Sequence, residues 1–185
     1  MKAKIALVLC CVAVWPGAAG AAPTQLYGKT VTIAGSETRT FRPGGRDEIK
    51  TMNASKQYIV YVSEAGRLFV RSERAISRPG AKGSAGSKTI DTAPGGTIGV
   101  AVSSAAQFSG NTLVITQRMV SGATRITVTF DPSFSSCTVT AQQGREGDKP
   151  MVIHDRFSGE NNLVLSMSTT WSGCSIQSGN QFAGH

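Results

Sequence analysis

TLVITQRMVSGATRITVTFDPSFSSCTVTAQQ, residues Thr112–Gln143, is the stretch that decides the fold. Apolar and polar residues alternate through three short runs, broken at Ser121-Gly122 and at Asp131-Pro132-Ser133. Side chains along a strand point to opposite faces in turn, so a period of two marks strands with one buried side. Gly, Asp and Pro between the runs are turn formers. The spacing predicts a three-stranded antiparallel meander. Leu113, Ile115, Ile126, Val128, Phe130, Cys137, Val139 and Ala141 form its inner face, and Arg125, Thr127, Thr129, Thr138 and Thr140 its outer one.

The same pattern extends outward. Lys29–Arg42 alternates strictly, with Val31, Ile33, Gly35, Glu37, Arg39 and Phe41 on one face and a Thr-rich set on the other. Glu37 and Arg39 fit either an internal ion pair or positions beyond the edge of the core, and the edge is favoured. Before this strand, Pro23–Gly28 offers little to pack, and after it Pro43–Ser55 reads as a polar loop. Gln57–Ser63 and Arg67–Ser72 form a hairpin across Ser63-Glu64-Ala65-Gly66. Residues 73–97 are rich in Gly, Ser, Ala, Pro and basic side chains, which predicts a flexible loop. Alternation resumes at Ile98, Val100 and Val102. Downstream, Met151-Val152-Ile153 is a short apolar run, Leu163, Leu165, Met167 and Trp171 make the inner face of another strand, and Cys174-Ser175-Ile176 a last short one.

No segment sustains a helical period. The chain reads as all-β, an antiparallel meander of about eight strands with barrel-like closure, or alternatively a two-layer β-sandwich. The runs are shorter than the ten or so residues that a membrane-spanning barrel strand needs.

Lys2 and Lys4, the apolar run Ile5–Trp15 and the small residues Ala19-Gly20-Ala21 together read as a secretory signal peptide over 1–21, cleaved near Ala21. The apolar run is too short to cross a bilayer. A lipid-bearing Cys10 or Cys11 is the weaker alternative, because Leu9 and Cys10 stand where a small residue belongs. Export implies a periplasmic or extracellular protein. Removing 21 of 185 residues leaves a single domain, 22–185. The 19 Lys and Arg fall to 17 against 11 Asp and Glu, a net charge near +6. Two cysteines remain, Cys137 and Cys174, and in an oxidising compartment they most simply pair.

Gly28-Lys29, Ser36-Glu37-Thr38-Arg39, Tyr61-Val62-Ser63, Gly66-Arg67, Phe69 and Arg71 carry the first half of a family likeness. Phe108-Ser109-Gly110, Gly122-Ala123, Arg125-Ile126, Phe130, Phe134, Cys137, Cys174, Gly179-Asn180 and Phe182-Ala183 carry the second. Over nearly the whole mature chain these residues resemble a group of small exported proteins of rhizobia and related alphaproteobacteria. The resemblance implies export, a β fold and the disulfide, and it implies no activity. Two positions depart from the group: Gly35, where a tryptophan is expected, and Val70, where a serine is.

Chemistry is sparse. His154-Asp155 is the one histidine–acid neighbour pair in the mature chain, yet adjacent strand residues face opposite ways, which argues against a working base. No serine sits in a nucleophile elbow. No zinc or calcium pattern occurs, so no metal or cofactor is expected. Gly83–Thr89 (GSAGSKT) lacks the Gly-Lys adjacency of a phosphate-binding loop. Asn53-Ala54-Ser55 matches a glycosylation acceptor without a bacterial use. Arg67, Arg71, Arg74, Arg78, Lys82 and Lys88 form the one concentrated feature, a candidate anion-binding segment. The nearby aromatics Tyr58, Tyr61 and Phe69 are too few for a nucleic-acid platform. The expectation is an exported, non-enzymatic binding domain for an envelope polyanion or a small apolar molecule. A hydrolase using His154 and a structural or adhesive surface protein are the alternatives.

Overall fold

A computed structural model describes residues 20–77, 87–92, 106–154 and 159–182. Residues 1–19 of the expected signal peptide, Arg78, Lys82, Ile98, Val100, Val102, Asp155 and His185 lie outside them. Among the described residues, ten strands follow a short 3₁₀ turn at Thr24–Leu26. They are β1 (Lys29–Arg42), β2 (Lys50–Val62), β3 (Leu68–Ser77), β4 (Ser87–Thr92), β5 (Ala106–Ser109), β6 (Thr112–Met119), β7 (Gly122–Phe130), β8 (Cys137–Arg145), β9 (Val152–His154) and β10 (Asn161–Ser178).

The strands make two antiparallel sheets rather than a closed barrel. One has the order β4-β3-β2-β1-β10-β9 and the other β5-β6-β7-β8. The expected meander is the second sheet, in the expected register: Ile126 lies between Ile115 and Ala141, and Val128 between Leu113 and Val139. Barrel-like closure fails because the 18-residue β10 returns to pair with β1 along nearly its whole length. Among the described residues, no ladder then joins β8 to β10. A covalent bond does so instead: Cys137 on β8 and Cys174 on β10 form a disulfide that ties one layer to the other.

Alternation buries one face of each sheet against the other. Val31, Ile33, Val60 and Val62 meet Phe108, Leu113, Ile115, Ile126, Val128 and Phe130 in one cluster. The stretch Pro23–Gly28 packs against it, contrary to the sequence expectation, since Leu26 is fully buried at that end and Ala22 is nearly so. Phe134, in the loop after β7, stacks on Phe130 with ring centroids 5.4 Å apart.

Four further readings are corrected. The polar loop ends at Ile49, and residues 50–55 already belong to β2, where Ala54 is buried opposite Glu37. Residues 73–77 and 87–92, expected to be part of a flexible loop, pair with each other as the ends of β3 and β4. The two runs read around Leu163 and Cys174 are one continuous strand. Leu165, expected inside, is 42 % exposed. A bulge between Thr40 and Phe41 pairs Ser166 and Val164 with β1 and skips Leu165, which changes the facing of every residue before it.

Candidate functional site

The two layers part in character along their length. From the 3₁₀ turn to Ile33 and Tyr58, their shared interior is apolar. Beyond that point it is charged. β1 carries Gly35, Glu37 and Arg39 inward, flanked by Lys56 on β2 and by Trp171, Thr169 and Met167 on β10. Glu37 and Arg39 are only 1 % and 4 % exposed, so they are an internal pair and not residues beyond the edge. Arg39 Nη2 lies 2.5 Å from Glu37 Oε1, and Lys56 Nζ bonds the other carboxylate oxygen. Two cations thus converge on one buried carboxylate. Desolvating three charges is expensive, and only their close mutual geometry offsets it.

Gly35 makes room beside this triad. A Cβ there would stand 2.7 Å from Trp171 Cε3 and 2.8 Å from the Thr170 carbonyl oxygen. The indole therefore lies against the bare backbone of β1. A second bulge, between Ala34 and Gly35, skips Ser172 and turns both Trp171 and Cys174 inward although they are three residues apart. Trp171 also meets Tyr58, with ring centroids 6.0 Å apart. The Tyr58 hydroxyl donates to Gln117 Oε1 at 2.5 Å, a polar bridge from one layer to the other. Thr124 is the register partner of Gln117 and is buried.

Outside the triad, three groups in this polar half are buried without a hydrogen-bond partner among the described residues: Trp171 Nε1, Thr169 Oγ1 and Thr124 Oγ1. Such groups are uncommon, and each costs about 1–3 kcal/mol unless something supplies a partner. The neighbouring seam is where access is greatest. β8 is an edge strand, β10 is covered by β9 only at Asn161–Leu163, and the two lie against each other, pinned by the disulfide. Their inward residues Val139, Ala141, Met167, Thr169 and Trp171 stay half-buried where the equivalents on β1 and β7 are closed.

Of the segment singled out as basic, only Arg67 and Arg71 have described side chains. Arg67 is exposed at the β2–β3 turn. Arg71 is 1 % exposed, with its guanidinium 5.1 Å from the Phe182 ring centroid, so it offers no surface to a polymer. Phe182 is held there by the C-terminal segment, where Gln181 N–H donates to Thr30 Oγ1 and the Thr30 hydroxyl donates to the Gly179 carbonyl. Arg74 faces Lys56 in the β2–β3 register, and Lys88 faces Ala75 in the β3–β4 register. Of the GSAGSKT motif, Ser87, Lys88 and Thr89 lie in β4 and form no loop. Asn53 is an exposed β2 residue accepting the Thr38 hydroxyl. His154 is exposed on β9, with Nδ1 3.1 Å from Asn161 Oδ1 of the neighbouring strand. No group of three metal-ligating side chains occurs among the described residues, and no helix there is long and apolar enough to cross a membrane.

Sequence reading missed the Glu37–Arg39–Lys56 triad. The one available signal was parity: Glu37 and Arg39 sit on the same face as Val31 and Ile33. No family model, curated protein or solved structure matches the chain.

Proposed function

We propose that this chain is an exported, non-catalytic binding domain whose ligand enters the interlayer seam between β8 and β10. The observation that carries the reading is the polar half of the interior. A sandwich of this size does not need it: apolar replacements of buried ion pairs are often neutral or stabilising. Three buried donors without partners add a further cost, and a ligand that supplies their partners recovers it. The signal-like start and the disulfide support an oxidising compartment outside the cytosol, periplasmic or extracellular.

The interior also discriminates between the ligand classes expected at first. A small apolar molecule would leave the triad and the three orphaned groups as they are. An envelope polyanion gathered by the 67–88 basic segment loses Arg71 to the core. The seam favours a small polar ligand. A hydrolase centred on His154 gains no support from an exposed ring whose described partner is an asparagine, and no feature of the seam favours an adhesive role.

Screening small polar compounds by thermal shift, with His154→Ala beside the natural protein, tests this reading. Stabilisers that alter the environment of Trp171 and act equally on His154→Ala are expected. Turnover of any compound that disappears in His154→Ala would overturn it, as would ligands that leave Trp171 unchanged.

A further inference from the structure

Resting on the seam as the binding site, we infer that its ligand is a small anion, of the carboxylate or oxyanion class, held by Trp171, Thr169 and Thr124. The argument begins with what the orphaned atoms can do. An indole N–H only donates, so whatever completes Trp171 must present an acceptor. Thr169 is two residues from Trp171 on the same inward face of β10, and its hydroxyl is free to donate beside it. Thr124, 2 % exposed, presents a second hydroxyl from the facing layer, next to the Gln117 that bonds Tyr58. One group that can only donate and two hydroxyls that can turn to donate suit a ligand with several lone pairs.

Charge points the same way. The largely buried charged side chains described beside these groups are Arg39, Lys56 and Glu37. Two of the three are cations. In a low-dielectric interior this favours an anion over a neutral ligand of the same shape. Small size follows from the bridge: Tyr58 and Gln117 hold the layers at hydrogen-bond distance immediately beside the indole. A charge-assisted bond to an anionic oxygen is roughly twice as strong as its neutral counterpart.

The test is a titration of the folded, disulfide-intact protein with sodium acetate and with inorganic phosphate, at fixed ionic strength, with acetamide as the uncharged counterpart of acetate. The readout is the Trp171 indole N–H proton resonance, assigned by its absence from Trp171→Phe. A saturable downfield shift is expected with at least one of the two anions and none with acetamide. Thr169→Val and Thr124→Val should each weaken that binding by about tenfold or more, as for loss of one charge-assisted bond, and Thr169→Ser should restore it. Acetamide saturating as readily as the anions would overturn the anion class while leaving the seam a binding site. A resonance that no probe moves saturably would overturn both. Unimpaired binding in both Thr→Val variants would remove these residues from the site.

Discussion

Replacing Glu37 with Gln keeps the side chain's shape and removes the charge that Arg39 and Lys56 share. Glu37 is 1 % exposed and its side chain wholly buried, while those of Arg39 and Lys56 are 5 % and 9 % exposed. The substitution therefore removes the carboxylate that both buried cations bond. Removing one partner of a buried pair costs about 3–5 kcal/mol. Natural domains have only about 5–15 kcal/mol in total, so this is about a fifth or more of the whole. With a urea dependence of roughly 2 kcal/mol per molar, the midpoint should fall by about 1.5–2.5 M. The control is Glu37→Met with Arg39→Met and Lys56→Met, which removes every charge of the triad. It should recover most of the loss or exceed the natural protein, because no charge then needs desolvation. Equilibrium unfolding followed by far-ultraviolet circular dichroism measures both. A single variant as stable as the natural protein would refute the burial of the triad. A triple variant as damaged as the single one would show that packing, and not unpaired charge, sets the cost.

The orphaned hydroxyl of Thr124 reverses the usual sign: Thr124→Val removes an unsatisfied group and should stabilise the ligand-free protein by about 1 kcal/mol, a rise of roughly 2–4 °C in melting temperature; a fall would mean that the hydroxyl has a partner. Gly35→Ala forces Trp171 or the Thr170 carbonyl to move and should cost about 1–3 kcal/mol, as overpacked cores do, with a changed Trp171 fluorescence maximum; an unchanged spectrum and stability would sink the close approach. Replacing Cys137 and Cys174 with Ser frees two layers joined across 37 residues and should lose about 4 kcal/mol by the chain-entropy estimate, read by urea unfolding with the oxidised natural protein as reference. In the β7–β8 loop the Ser133 hydroxyl, the Ser136 and Ser135 amides and the Ser135 hydroxyl all donate to Asp131 and hold its carboxyl well below the usual carboxylate range. A depressed folded-state value contributes stability above the ordinary value of 3.8 and loses it as pH falls further; the acid limb of the natural protein's stability should therefore be shallower in Asp131→Asn, and identical limbs would refute the assignment.

What the sequence made legible was local, and what it hid was the pairing of distant strands. The meander from Thr112 to Gln143 carries its turns and its parity within itself, so its register follows from period two alone. The Cys137–Cys174 bond was legible for a different reason, since subtraction of the expected leader leaves two thiols. β10 defeats the same method, because its two bulges shift facing at Leu165 and Ser172, and bulges are set by the partner β1 and not by any residue pattern in β10. The fate of Glu37 and Arg39 depended on whether a second layer covers that end of β1, which no feature of Lys29–Arg42 encodes. Gly35 joins these cases. The resemblance drawn from the sequence places a tryptophan there, and read along β1 a glycine in its place empties the site. Read across the ladder it does not, because the glycine is what lets the indole of Trp171 lie on that same spot from β10. An aromatic supplied from the neighbouring strand keeps the wall while turning its N–H into a buried, unpartnered donor next to Thr169. A tryptophan at position 35 and the one at 171 could not occupy this ground together. Gly35→Trp should therefore expel the indole of Trp171 and abolish anion binding, while Gly35→Trp with Trp171→Gly should restore the packing of this interior.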